Sequence, residues 1–145
     1  QHIRRTINFE KMTTELFQPL QALPNTLQLD IVNYDTKEKV KTAVSLQYPL
    51  ILIVESIYLF SHKMMPYFDY KIFLDISIAE ALKRATLRKR DLELYGSADG
   101  IQQKYETKNF PGYLEFDKQE NPKSLSDVVI DNNDWQNPVI IKGEL

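Results

Sequence analysis

Tyr48-Pro49-Leu50-Ile51-Leu52-Ile53-Val54-Glu55-Ser56-Ile57-Tyr58-Leu59-Phe60 is the stretch whose reading decides the fold. Residues 50–54 are five apolar side chains in a row, three of them β-branched, and the run meets a carboxylate at Glu55. A short apolar run without alternation predicts a strand buried on both faces, the kind that belongs to parallel sheets covered by helices. A Glu where such a strand ends is costly unless its charge is compensated. Ligands of open α/β sheets sit beyond the carboxyl ends of the strands. Glu55 is therefore a candidate functional carboxylate. The other reading is a Glu that leaves the strand for water or caps the next helix.

At 145 residues the chain suits one domain and has enough length to bury a sizeable core. Its net charge of −2 argues against a general nucleic-acid binder, which is usually basic. Cysteine is absent, which excludes disulfides and thiolate metal sites. His2 and His62 lie too far apart in sequence to indicate a metal pair. No apolar run approaches the roughly 20 residues that span a bilayer, and no signal peptide is visible, so the expectation is a cytoplasmic protein without membrane partners. The chain opens on Gln1 and holds four glycines, few for an α/β protein, which reads as a piece of something longer.

Around the central stretch, other elements fall into place. Asn8 is a candidate N-cap for a helix carrying Phe9, Met12, Leu16 and Leu20, a stripe best explained by core packing; Pro19 and Pro24 limit it to about ten residues. Leu27 to Val32 alternates as a short strand, followed by an Asn33-Tyr34-Asp35 turn and a solvated connection over 36–41. Ser61 to Phe68 reads as a short helical or irregular crossover. Tyr70 to Asp75 is a second apolar strand ending in a carboxylate. Ser77-Ile78-Ala79-Glu80 is a capping box, in which Ser77 covers the Glu80 amide and Glu80 reaches back. Two apolar strands separated by helical segments indicate βαβ units and a parallel sheet.

The far end of that helix is strongly basic. Lys83, Arg84, Arg88, Lys89 and Arg90 place five of the chain's 18 basic residues within 83–90. Arg84 and Arg88 are four apart, which on a continuous helix puts both on one side. Cations favour helix C-termini, but five exceed what that explains. The alternatives are a solvated face and a phosphate clamp, since guanidinium groups fork onto phosphate oxygens. A polar stretch from Asp91 to Asp99 with Gly96 then reads as a lid, at about 88–100, over bound phosphates. Ser97 or Asp99 caps a further helix ending near Asn109, before Pro111-Gly112. Tyr113 to Phe116 packs back on the core, 117–126 is polar loop, and Val128 to Ile130 is the last strand, leaving through Asp131-Asn132-Asn133-Asp134.

In this order, the features resemble the uridine kinase and phosphoribulokinase family of P-loop kinases, nearest to its Gram-positive uridine-kinase-like members. The matching residues are Ile53-Val54-Glu55-Ser56-Ile57-Tyr58, Arg88-Lys89-Arg90-Asp91, Tyr105 to Gly112 and Leu125-Ser126-Asp127 to Pro138, with Asn8-Phe9-Glu10 and Tyr34-Asp35 upstream. They span most of the chain, from Thr6 to Ile141. The resemblance implies a single P-loop NTPase-like domain over 1–145, incomplete at its N-terminus, with a parallel sheet between two helical layers. It implies ATP- and Mg²⁺-dependent phosphoryl transfer to a nucleoside (uridine or cytidine) or a similar small hydroxyl substrate, without nucleic-acid partners; a homo-oligomer is left open. By position, Glu55 would hold Mg²⁺. Arg84, Arg88 and Arg90 would clamp phosphates, Asn8 and Tyr34 would lie near the nucleoside, and Asn132 and Asn133 near adenine. The departures are concrete. There is no Gly-rich loop ending in Gly-Lys-Ser/Thr, the family's catalytic Asp is missing, Ser56 follows Glu55 where the family has Gly, and lysines follow Tyr34-Asp35 where it has His. As written, the 145 residues are therefore not expected to transfer phosphate by themselves, and the other reading is a degenerate, non-catalytic relative that binds nucleotide or mediates assembly.

Overall fold

A computed structural model describes residues 8–33 and 36–144. The chain is mixed α/β and divides into two compact units, Gln1–Ser56 and Ile57–Leu145.

The first unit is a helix and a hairpin. Helix α1 covers 9–21 and is built of Phe9–Met12, a π-helical turn over Thr13–Phe17, and Gln18–Gln21. As expected, Asn8 caps it: the Asn8 Oδ1 accepts from the Lys11 amide at 2.9 Å. Pro19 does not end it. A proline lacks the amide that would bond to the carbonyl four residues back, and its ring collides with that carbonyl. The wider π turn immediately upstream relieves both problems. Strand β1 (Thr26–Val32) pairs antiparallel with β2 (Lys39–Ser45), in a register that sets Leu27 opposite Val44 and Asp30 opposite Lys41. The expected solvated connection over 36–41 thus already contains the start of a strand. Its alternation of lysine with Val40, Thr42 and Val44 suits a pleat with one face in water. Among the described residues of this unit, Phe17 and Leu27 are buried.

The stretch that decided the sequence reading is a correction. Residues 50–56 carry no ladder pairing, and Ile51 and Ile53 are 88% and 86% exposed. A strand buried on both faces needs a neighbour along each edge. Among the described residues, the ladder of this unit is made by β1 and β2 alone. The run is apolar, but among the described residues it forms no strand and lies largely exposed.

The second unit carries the βαβ element. Strand β3 (Ile72–Asp75) runs parallel to β4 (Val128–Asp131), and β5 (Val139–Lys142) adds antiparallel to β4, in the order β3-β4-β5. Between β3 and β4 come α2 (Ile78–Leu87), α3 (Lys89–Tyr95), a long helix α4 over 98–120 and the short turn α5 (Pro122–Leu125). Among the described residues, only part of the expected sheet forms: one parallel pair with an antiparallel edge. The core is Tyr58, Leu59, Met64, Ala85, Ile101, Phe116, Val128 and Val129, with the Tyr58 ring edge-on to Phe116 at 5.2 Å. Such edge contacts add to the burial of the rings. The Lys71 amide and ammonium both donate to Asp127 Oδ2, at 2.8 and 3.1 Å, and pin the start of the parallel pair.

Helix α4 overturns two expectations. It does not stop near Asn109, and 117–126 is not polar loop. It consists of Ala98–Lys104, a π turn over Tyr105–Asn109 and Phe110–Glu120. Pro111 again lies two residues beyond a π turn, as Pro19 does in α1, so the same widening carries the helix past it. The helix ends at Asn121, in the left-handed conformation (φ 47°) that Asn tolerates.

Candidate functional site

The basic cluster is resolved into unlike parts. Helix α2 begins at the Ser77 cap, whose Oγ accepts from the Glu80 amide at 3.2 Å. The reciprocal half of the expected capping box is absent. The Ser77 amide donates instead to Asn133 Oδ1 at 2.9 Å. Glu80 is thereby released to bind the next turn: its carboxylate accepts from Arg84 Nε at 2.9 Å and from Lys83 Nζ at 3.3 Å. Those bonds, from Arg84 first and then Lys83, hold the Glu80 carboxyl below its ordinary range.

Arg84 is the hub of this region. Besides Glu80, its Nη2 donates to the carbonyls of Asn132 at 2.6 Å and Asn133 at 2.8 Å. Asn133 is equally committed. Its amide N and Nδ2 both donate to Asp131 Oδ1, at 2.9 and 2.7 Å, which lowers the Asp131 carboxyl. The Asn132 amide donates to the Asp75 carbonyl at 2.8 Å, continuing the parallel ladder into the loop. Arg84 and Asn133, expected at the phosphates and at adenine, therefore spend these bonds tying the exit of β4 to the start of α2. Asn132 keeps its place in the loop beyond the strand.

Arg88 does not share a helical face with Arg84. Helix α2 ends at Leu87, and Arg88 takes an extended conformation (φ −77°, ψ 120°) that closes α2 and opens α3. Its side chain is 62% exposed and its Nη1 lies 3.5 Å from Asp91 Oδ2. Arg90 lies exposed in the first turn of α3. The expected lid stretch over 91–99 is itself helical: α3 ends at Gly96 with φ 79°, and Ser97 caps α4 by accepting from the Gly100 amide at 3.1 Å. Ser97, not Asp99, is the cap.

At the carboxyl ends of the parallel pair, Asp75 and Asp131 stand in register. Asp75 Oδ2 accepts from Lys123 Nζ at 2.7 Å, and that ammonium lies 6.0 Å from the centre of the Phe73 ring. The Tyr113 hydroxyl is pushed up by burial first, then by the negative charges of Asp117 and Asp75. Sequence reasoning stopped at the carboxylate of Asp75 and missed Lys123, whose signal would have been a lone cation after Pro122.

In the first unit, Glu55 is exposed, on the unpaired segment. Among the described residues no three His, Asp or Glu side chains gather as a metal site. A lone exposed carboxylate supplies at most one of the several oxygen ligands that Mg²⁺ takes. Asn8 lines a groove of about 310 Å³ between α1 and β1, with Lys11, Met12, Glu15, Leu16, Leu29, Asp30 and Ile31. Tyr34 lies outside the described residues. Among the described residues, no helix is long and apolar enough to cross a membrane.

Neither a protein-family model, nor a curated protein, nor a solved structure matches this chain.

Proposed function

We propose that this chain belongs to an ATP-dependent phosphotransferase of uridine kinase type, acting on a nucleoside or similar small hydroxyl compound. The observation that carries the reading is the parallel β3–β4 pair with a capped helix between its strands and Arg88 and Arg90 at the helix junction. Catalysis of phosphoryl transfer is chiefly positioning and charge neutralisation. Exposed guanidinium groups at a helix junction supply the second of these toward phosphate oxygens. By the resemblance, Glu55 would supply one ligand to Mg²⁺, an ion that neutralises phosphate charge when bound. By the same resemblance, Asn8 would contact the acceptor and Asn132 the adenine. Arg84 and Asn133 support that loop from within.

A second reading is favoured by a specific observation: the sequence contains no Gly-Lys-Ser/Thr phosphate loop, whose amides normally cradle the phosphates. Under it the chain binds nucleotide without transferring phosphate. Both readings are tested on the full-length protein, by titrating Mg²⁺-ATP calorimetrically and then incubating γ-labelled ATP with uridine, cytidine and adenosine. Transfer to a nucleoside supports the kinase, binding without transfer supports the binding module, and absence of binding overturns both.

A further inference from the structure

Asp91 is the unexplained charge of the second unit. It lies in the first turn of α3, where an acid complements the helix dipole, but an exposed carboxylate would serve that purpose equally well. Instead its side chain is only 14% exposed, and Oδ2 is closed off from water without a hydrogen bond. Burying an unsatisfied carboxylate oxygen is costly, and such groups call for a physical reason. The nearby Tyr105 hydroxyl feels the same cluster: burial raises it first, the Asp91 charge raises it further, and Arg88 opposes. The ion pair of Asp91 is with Arg88 Nη1 at 3.5 Å, too long for a hydrogen bond.

Arg88 is also the joint itself. Its amide closes α2 on the Ala85 carbonyl at 3.1 Å, and its carbonyl opens α3 by accepting from the Leu92 amide at 3.0 Å. A guanidinium there is attached to the one extended residue between two helices and is mostly in water.

We propose that Asp91 is a positioning residue for Arg88: it parks the guanidinium at the α2–α3 joint and yields it to a phosphate group of a polyphosphate ligand. This rests on reading the Arg88 region as phosphate-binding. The long contact is replaced by forked charge-assisted bonds of about 2.7–2.9 Å to phosphate oxygens. Asp91 is left without its counter-charge, so it holds down the affinity for the anion. Asp91 thereby sets how readily the joint takes a phosphate.

The test is calorimetric titration of inorganic tripolyphosphate into the wild-type chain and into Asp91→Asn, Glu93→Gln, Arg88→Gln and the Arg88→Gln/Asp91→Asn double variant. Glu93 sits on the same helix with Lys89 at 3.7 Å, so its variant removes equal charge without touching Arg88. Asp91→Asn is expected to bind about two- to fivefold more tightly, the range of a weak ion pair whose guanidinium stays in water, and to gain more than Glu93→Gln. The gain disappears in the Arg88→Gln background. Equal gains for Asp91→Asn and Glu93→Gln, or a gain that survives loss of Arg88, overturn the proposal while leaving phosphate binding intact. If Asp91→Asn fails to fold, wild-type NMR decides. As tripolyphosphate is added, the Arg88 Nε–H and Asp91 carboxyl signals shift together; a moving Arg88 with an unmoved Asp91 refutes the parking role. No tripolyphosphate binding by the wild-type chain overturns both this proposal and the phosphotransferase reading.

Discussion

Arg84→Ala separates a structural guanidinium from a ligand clamp. In the folded chain Arg84 Nη2 serves the carbonyls of Asn132 and Asn133, at 2.6 and 2.8 Å, and its side chain is only 21% exposed. Hydrogen bonds to a charged group contribute about 1.5–3 kcal/mol each. Asn133 is exposed, so its carbonyl regains water when the guanidinium goes, whereas Asn132 is half-buried. The expected net loss is therefore about 2 kcal/mol, close to one charge-assisted bond. With a urea dependence of about 1–3 kcal/mol per M, the unfolding midpoint should fall by about 1 M. The chain's single tryptophan, Trp135, follows Asn133 in the same loop and is 66% exposed, so its fluorescence reports the loop while far-UV circular dichroism reports the helices. Arg84→Lys should recover part of the loss, because an ammonium keeps the charge but not the fork. A midpoint unchanged within about 0.2 M, together with abolished tripolyphosphate binding, would refute the structural assignment and restore Arg84 to the clamp.

Three further outcomes follow from particular contacts. Gly143 has φ 77°, and a Cβ there would collide with the Asp127 carbonyl, so Gly143→Ala should cost about 2 kcal/mol or more; an unchanged thermal midpoint would show that the β5 end adapts freely. Asp127 is held below its ordinary value, first by its side-chain bond to Lys71. A depressed folded carboxyl contributes stability that is complete above the unfolded value near about 3.9 and is lost as pH falls through the folded value. Asp127→Asn should therefore lower stability at neutral pH and flatten the acid loss below about pH 4; an acid slope equal to wild type would count against the Lys71–Asp127 contact. Glu55→Gln should leave stability within about 0.5 kcal/mol, since Glu55 is exposed, while weakening Mg²⁺-dependent ATP binding. Unfolding of that variant would make Glu55 structural.

What was legible in the sequence follows the range of the interactions involved. The caps at Asn8 and Ser77 were readable because each bond spans three residues. The apolar strands β3 and β4 were readable from their side chains alone. Helix α4 was not. A proline is ordinarily a stop, and a π turn placed two residues ahead of Pro19 and of Pro111 has no compositional signature in a single sequence. Strand β2 was hidden by its lysines, which mark a solvated face as readily as a loop. The run at 50–54 was read for what its side chains want, whereas pairing depends on which strands stand beside it.

The basic cluster shows the same limit at the level of chemistry. Arg84 and Arg88 are equivalent in sequence: the same side chain, one helical turn apart, beside other cations. What distinguishes them arrives from far along the chain, since the carbonyls that bind Arg84 are 48 and 49 residues away, whereas the partner of Arg88 is three residues on. A guanidinium with two carbonyls and a carboxylate at bonding distance has little left for a ligand, and moving it would strand the half-buried Asn132 carbonyl. A guanidinium held by one long contact and mostly in water loses no hydrogen bond on moving, and what it gives up is the charge of Asp91. Charge density located the cluster, but the acceptors already present decide which of its cations can be offered to a phosphate, and that selection favours Arg88 over Arg84.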